Sequence, residues 1–170
     1  MRVRPVRRDD LGAICRIAAA GLWEEWHDLL RGDTLGRLLA SECSGATMGR
    51  RLLRGGMLVA EDTSGAIGGY VDAVPGPAVV AVMALAVDPA RRRQGLGRLL
   101  VGAVVDQSLP EAIYTDVMLG CLQAEGFLER LGFVPGEVIP RSQFDEVVVE
   151  RRWWLAPGRD QAGWPLPWHG

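Results

Sequence analysis

The chain has 170 residues and a mass of 18.5 kDa, a size that suits one domain with a sizeable core. Its formal net charge is −2 and all 19 basic residues are arginine, so we expect no nucleic-acid partner and no membrane partner. No apolar run has transmembrane length, and the N-terminus lacks the apolar core of a signal peptide. Cys15, Cys43 and Cys121 follow neither metal-ligand nor disulfide spacing, which predicts a reducing cytoplasm and no metal site.

The first half of the chain predicts short strands and amphipathic helices. Its predicted elements are strands at 2–6, 57–61 and 66–74, and helices that start after Asp9 or Asp10, run over 21–40 and run over 45–55. The first helix has an apolar face that includes Leu11, Ile14 and Ile17. We expect the second to break near Gly32, and the two later strands to form a hairpin.

The second half predicts alternating strands and helices, and residues 1–155 are interpreted as a single domain. Its predicted elements are strands at 79–87, 112–119, 137–139 and 146–155, and helices from 96 and over 122–131. Gly132 is expected to end the last helix in a left-handed conformation. Residues 156–170 are rich in Trp, Pro and Gly without periodicity, which predicts an arm that packs on this chain or on a partner.

A glycine loop, residues 88–98, connects the strand at 79–87 to the next helix. Gly95 and Gly97 lack the Cβ atoms that would hold an anion away from the backbone. Successive N–H groups and the positive end of the helix dipole can then bind one phosphate group. Three arginines add charge where a pyrophosphate would lie: Arg92, Arg93 and Arg98.

The pattern Arg92-x-x-Gly95-x-Gly97 excludes the two common nucleotide loops and resembles a third. A P-loop needs a lysine, and a dinucleotide fingerprint needs a third glycine where this chain has Leu100. Preceded by Val87-Asp88-Pro89 and followed by a helix, the pattern resembles the acetyl-CoA-binding motif of the GNAT superfamily of N-acyltransferases. The resemblance covers most of residues 1–155.

A second motif supports this resemblance and departs from it at two positions. Ala124, Phe127 and the pair Gly132-Phe133 are in register with a helix motif of the family. Cys121 stands where the family usually has Asn, and Leu128 where it usually has Tyr. The latter replacement removes the family's usual proton donor to the leaving thiolate.

The resemblance implies an α/β (α+β) fold with a mixed, mainly antiparallel central sheet and helices on both faces. Two parallel strands, 79–87 and 112–119, would splay apart and hold the pantetheine arm of acetyl-CoA between them. The backbone at 85–87 would line that arm and offer an N–H to the thioester carbonyl. The implied cofactor-binding residues are Leu85, Ala86, Val87, Arg92, Arg93, Gln94, Gly95, Leu96, Gly97, Arg98 and Phe127.

The proton acceptor for the amine has several candidates. Some family members have a Glu where this chain has Met83, and others use a carboxylate on the next parallel strand, which is Asp116 here. Asp116 could act through water with a pKa raised by desolvation, or it could merely cap a turn or pair with an arginine. Weaker candidates for the base are Asp72, Glu24, Glu25 and His27.

The proton donor and the acceptor site are also open. Because Leu128 cannot donate, Tyr70, Tyr114 and Cys121 are candidate donors, unless the thiolate leaves unprotonated. Cys121 could also be a nucleophile, or a small buried residue at a helix start. The candidate amine-binding residues are Trp23, Trp26 and Asp72, although the tryptophans could instead pack as core.

The leading functional prediction is an N-acetyltransferase that transfers an acetyl group from acetyl-CoA to an amine of a small molecule or peptide. The alternative is an acyl-CoA-binding module with weak or no catalysis, which the residues at 83 and 128 favour. A structural protein without the cofactor is disfavoured, since Arg92, Gly95 and Gly97 are all present. The family's frequent dimers make a homodimer a further expectation.

Overall fold

The computed structural model describes residues 1–156 of the chain. The seven strands of its sheet are β1 (Arg2–Pro5), β2 (Met57–Glu61), β3 (Ile67–Pro75), β4 (Val79–Val87), β5 (Ala112–Met118), β6 (Val134–Gln143) and β7 (Glu146–Leu155). The α helices within these residues are α1 (Leu11–Trp26), α2 (Gly32–Glu42), α3 (Gly45–Arg54), α4 (Leu96–Ser108) and α5 (Leu122–Arg130). None of these helices is long and apolar enough to cross a membrane.

The strands form one sheet in the order β1-β2-β3-β4-β5-β7-β6. Every neighbouring pair is antiparallel except β4 and β5, which run parallel. These two strands pair only where Val79–Ala81 face Ala112–Tyr114, and beyond that point they separate. The predicted mainly antiparallel sheet with two splayed parallel strands is confirmed.

A bulge in β4 reverses which side chains face each side of the sheet. Asp72 of β3 pairs with Ala84 and Ala73 pairs with Val82, so Met83 has no partner on β3. Val80 and Val82 before the bulge, and Leu85 and Val87 after it, pack with the same core cluster. The bulge therefore opens the sheet beside the splay and leaves the Met83 side chain 60% exposed.

Helices cover both faces of the sheet, as expected. On one face, α4 buries Leu100, Val101 and Val104 against the strands, because these positions form one apolar stripe. On the other face, Ile14 and Ile17 of α1 pack with Met48 of α3 and with side chains of β2 and β3. The gap between β4 and β5 is therefore bordered by one helix layer on each face of the sheet.

The helix boundaries differ from the prediction in α1, which continues without interruption through Gly21 to Trp26. A glycine costs helix stability, but here it lets the helix approach the sheet: a Cβ on Gly21 would lie 3.6 Å from the Cβ of Ala86. Gly132 has φ +85°, which confirms the predicted left-handed end of α5. The predicted arm at 156–170 lies outside the described residues from 157 onward.

The strand β6 is ten residues long rather than the predicted three. Its length was not evident from sequence because the strand pattern is interrupted at Pro135, Gly136 and Pro140. An edge strand tolerates prolines because one row of its N–H groups needs no partner. Here β6 lies at the edge and pairs with β7 alone, and most of its residues are exposed.

Candidate active site

The glycine loop presents a row of backbone N–H groups at the start of α4. Arg93 and Gly95 adopt left-handed conformations, with φ of +65° and +81°, and Gly95 is the N-cap of the helix. Within residues 1–156, the N–H groups of residues 93–98 donate no hydrogen bond. Free N–H groups at a helix N-terminus form an anion-binding site, as the sequence predicts.

Side-chain contacts hold this loop in place. Asp88 accepts a hydrogen bond from the Ala90 N–H at 3.0 Å, and Arg91 forms a 2.6 Å ion pair with Asp62 of the β2–β3 turn. Hydrogen bonds from Ser64 and Arg91 hold the pKa of the Asp62 carboxyl well below its usual range. The carboxylate therefore stays charged, and the loop stays tied to the turn, at any ordinary pH.

Gly97, in the first turn of α4, is in contact with the Phe127 ring of α5. A Cβ added at Gly97 would lie 2.7 Å from the Cζ atom of Phe127, closer than real side chains approach. The Phe127 ring therefore occupies the space that the missing side chain leaves, and brings α5 against the loop. This contact joins the two motifs that carry the sequence resemblance.

A cavity of about 570 Å³ runs from this loop, through the gap between β4 and β5, to the faces of α1 and α3. Ten of the predicted cofactor-binding residues line it: Leu85, Ala86, Val87, Arg92, Arg93, Gly95, Leu96, Gly97, Arg98 and Phe127. The remaining one, Gln94, belongs to the loop but its exposed side chain does not line the cavity. Binding of acetyl-CoA by these residues stays a prediction, which their convergence on one cavity supports.

Arg92 is engaged by neighbouring side chains. Its guanidinium forms a 2.5 Å ion pair with Glu24 of α1 and donates a 3.0 Å hydrogen bond to Gln123 of α5. It thus connects α1 to α5 across the mouth of the cavity. A pyrophosphate bound at the loop would have to share or replace these contacts.

Asp116 lines the cavity, but its expected raised pKa is wrong. Arg152 donates two hydrogen bonds to this carboxylate, at 2.7 and 2.8 Å, and Arg141 donates a third at 3.1 Å. The hydrogen bonds from Arg152 outweigh burial and hold the pKa of Asp116 below its usual value. The alternative in which Asp116 pairs with an arginine describes the structure, and such a carboxylate is a poor proton acceptor.

Glu25, a weaker candidate from sequence, has the properties expected of a base. It lies on α1 and lines the cavity, and within residues 1–156 it forms neither an ion pair nor a side-chain hydrogen bond. Burial raises the pKa of Glu25, and the nearby charge of Arg92 opposes this rise only in part. A desolvated carboxylate with a raised pKa can accept a proton near neutral pH.

The candidate proton donors occupy different environments. Leu128, at the family's Tyr position, is 3% exposed and borders the cavity with an apolar side chain. Cys121 is buried outside the cavity lining, and burial raises the pKa of its thiol, which argues against a nucleophile. Tyr114 packs beneath Arg152, whereas Tyr70 borders the cavity and burial raises the pKa of its hydroxyl.

The predicted amine-binding residues are brought together only in part. Trp26 lines the cavity, but Trp23 is 56% exposed and stacks on His27, so the structure does not bring Trp23 into the cavity. Asp72 is fully buried beside Arg54 and Arg51, which are both on α3, and cannot be reached by a substrate. Its side chain faces α3, whose two arginines enclose the carboxylate.

The cavity-lining residues that sequence reasoning missed include Leu22, Glu42, Met48 and Arg51. Arg51 forms an ion pair with Glu42 and lies 3.6 Å from the Asp72 carboxylate. The strong amphipathicity of the segment 45–54 was the available signal, since one face of that helix had to meet the sheet.

Comparisons with known proteins agree with this geometry. Residues 53–135 match the family model described as "Acetyltransferase (GNAT) domain". No curated protein matches the sequence at a significant level. Many solved structures do match in fold, and together with the family model they confirm the resemblance to the GNAT superfamily.

Three of these structures illustrate the match. A GCN5-related N-acetyltransferase from Rhodopseudomonas palustris superimposes with a TM-score of 0.74 at 19% identity, covering 91% of this chain and 94% of that one. The PaiA N-acetyltransferase from Thermoplasma acidophilum, in complex with coenzyme A, gives 0.71 at 11% identity, with coverages of 88% and 96%. YncA from Salmonella typhimurium, with its cofactor acetyl-CoA, gives 0.63 at 20% identity, with coverages of 96% and 97%.

Proposed function

From its GNAT fold, we propose that this protein is an acetyl-CoA-dependent N-acetyltransferase acting on a primary amine of a small molecule or peptide. One observation carries the proposal. A single cavity joins the free N–H groups of the glycine loop to an unpaired, desolvated carboxylate, Glu25, across the splayed strands. We assign the reaction to one domain of residues 1–155, and its three free thiols suit a reducing cytoplasm.

The glycine loop fits the pyrophosphate of acetyl-CoA. Six successive N–H groups that bond to nothing in residues 1–156, two left-handed residues and the end of the α4 dipole together match a doubly charged, multidentate anion. The arginines at 92, 93 and 98 border the same space. The pantetheine arm would then extend along β4, whose residues 85–87 face the cavity beside the splay.

The reaction that this arrangement supports is direct acyl transfer. The amine nitrogen attacks the thioester carbon, so that a C–N bond forms and the C–S bond breaks. The proton lost by the nitrogen passes to the Glu25 carboxylate, directly or through water, and is later released to solvent. Holding both reactants in one cavity supplies the proximity that makes the step fast.

The sulfur leaves as a thiolate in this proposal, because the apolar Leu128 stands where a donor would be. A thiol has a pKa of about 8.5, so its thiolate is a tolerable leaving group. General acid catalysis adds about 10²–10⁴-fold, and its loss slows the reaction without preventing it. Tyr70 is the remaining donor candidate, since it borders the cavity.

A second candidate function is an acyl-CoA-binding module with weak or no catalysis. The apolar side chains of Met83 and Leu128 in the cavity favour it, because they cannot exchange protons. Both functions require CoA binding, and only the first requires turnover.

Thiol release from acetyl-CoA, measured over a panel of amines with mass spectrometry of the products, tests the proposal. The absence of lysine in the chain removes self-acetylation of side-chain amines as a source of thiol. We expect an N-acetylated product with wild type and none with Gly95→Val, whose backbone cannot keep the loop conformation. CoA binding by calorimetry without thiol release from any amine would instead support the binding module.

A further inference from the structure

The acceptor side of the cavity holds three carboxylates, and two of them are already neutralised. Glu42 forms an ion pair with Arg51. Asp116 accepts three hydrogen bonds from two arginines. Of the acidic residues that line the cavity, Glu25 alone forms no ion pair within the described part of the chain. The site therefore offers one negative charge to an incoming cation.

Several apolar side chains line the cavity together with Glu25. Leu22 and Trp26 are one turn apart on the same face of α1, Trp26 follows Glu25 directly, and both line the cavity. Met48 of α3 and the bulged Met83 of β4 add two thioether side chains. Met83 is 60% exposed although it belongs to a central strand, so it offers unsatisfied apolar surface to a ligand.

We propose that the acceptor is a primary amine with a single positive charge and an apolar alkyl or aryl body, and that Leu22, Trp26 and Met83 select it. This inference rests on the proposed acetyltransferase function and names its substrate class. The ammonium group would bind beside Glu25, and the apolar body would cover the side chains around it. Glu25 takes one proton from the ammonium group and passes it to solvent, which produces the attacking neutral amine; the regenerated carboxylate then takes the second proton, which the nitrogen loses on attack.

The same charges argue against other classes of amine. A polyamine or aminoglycoside carries further ammonium groups, which would be desolvated in this cavity without a partner. An amino acid carries a carboxylate, which would lie near Glu25 and Glu42. Arg51 is engaged by Glu42 and Asp72, so it is not a free partner for that carboxylate.

Matched pairs of acceptors test the inference through kcat/KM for thiol release. Hexylamine is compared with 1,6-diaminohexane, and 2-phenylethylamine with phenylalanine. We expect each monoamine to be preferred by about tenfold or more, since an unpartnered buried charge is strongly rejected. Equal or better use of the diamine or the amino acid would overturn the inference while leaving the acetyltransferase function intact. No thiol release with any amine would instead contradict the proposed function itself.

A pair of neighbouring variants locates the selectivity. Leu22→Glu adds to the cavity a second carboxylate that is not committed to an arginine, whereas Trp23→Glu adds the same charge to the same helix outside the cavity. Leu22→Glu should shift the diamine-to-monoamine ratio of kcat/KM toward the diamine by about tenfold, and Trp23→Glu should leave it unchanged. Unchanged CoA affinity establishes that both variants are folded. A ratio that moves equally in both variants, or in neither, would overturn the role of the cavity wall.

Discussion

The two halves of the cavity, which we propose bind the cofactor and the acceptor, are built from different parts of the chain. The cofactor half depends on backbone N–H groups of one continuous segment, residues 93–98, and on glycines that leave room for an anion. The acceptor half depends on side chains that α1, α3 and two strands bring together. A backbone site tolerates many side chains, whereas a side-chain site changes with each substitution. Cofactor binding and acceptor chemistry should therefore be separable by mutation.

The largest effect is expected from Glu25→Gln, which removes the proton acceptor and preserves the shape of the side chain. We expect kcat to fall by about 10²–10⁴-fold, the usual contribution of a general base, with CoA affinity unchanged. Because burial raises the pKa of Glu25 above the ordinary 4.5, wild-type activity should rise with pH through that higher value. Steady-state kinetics against pH check this, and a variant that keeps the wild-type pH profile would contradict it.

Gly95→Val is expected to impair the cofactor half of the cavity and to leave the acceptor half unchanged. Gly95 has φ +81°, a conformation that a β-branched residue avoids, so the loop must rearrange and lose its N–H array. We expect CoA affinity to fall by about 100-fold, or about 2.7 kcal/mol, measured by calorimetry. Gly36→Ala is the matched control, since a Cβ at this α2 position meets open space. Similar affinities for the two variants would refute the backbone account of cofactor binding.

Asp116→Asn should affect stability more than chemistry. The ionised carboxylate binds Arg152 and Arg141, so we expect a loss of about 1–2 kcal/mol at neutral pH, or about 2–8 °C in Tm. The pKa of Asp116 is lower in the folded chain, so its stabilisation is complete above the ordinary value of 3.8. It is lost as pH falls from there through the folded value, and the Tm difference should then narrow.

Thermal melts of both proteins over this pH range measure the difference. Asp145→Asn is the control, because its ion pairs with Arg31 and Arg37 are largely exposed and should be worth little. A loss of activity in Asp116→Asn as large as in Glu25→Gln would contradict the assignment of the base.

The smallest effect is expected from Glu24→Gln, a change in α1 that should alter CoA affinity. Glu24→Gln frees Arg92 from its ion pair and removes a negative charge from the mouth of the cavity. A partly exposed pair is worth about 0.2–1 kcal/mol, so CoA should bind about 1.5- to 5-fold more tightly. Asp106→Asn, an exposed acid elsewhere on α4, should leave the affinity unchanged. Weaker binding in Glu24→Gln would mean that this ion pair organises Arg92 for the cofactor.

The cofactor half was predictable from sequence because its determinants are local. Gly95 and Gly97 lie within the same short segment as the N–H groups that they leave accessible to an anion. The strand before this segment and the helix after it have clear hydrophobic periodicity. Phe127 was found through a second motif, and the structure places its ring against Gly97. The mainly antiparallel sheet and its splayed parallel pair followed from the resemblance and are confirmed.

The acceptor half was not predictable because its charges are paired over long distances in sequence. Asp116 is neutralised by Arg152, 36 residues away, and no local pattern indicates that pair. The bulge at Met83 reverses the strand alternation, so alternation alone does not show which side chains meet the cavity. Glu25 is identified as the better candidate base only when the structure shows that arginines pair with the other carboxylates of the cavity.

The most direct test of the central claim is thiol release from saturating acetyl-CoA, with 2-phenylethylamine as acceptor, by wild type and Glu25→Gln side by side. We expect turnover by wild type, a loss of about 10²-fold or more in the variant, and equal CoA affinity for both. Equal turnover by the two proteins would remove Glu25 from the mechanism. Absence of turnover in wild type with this and every other amine would contradict the acetyltransferase itself.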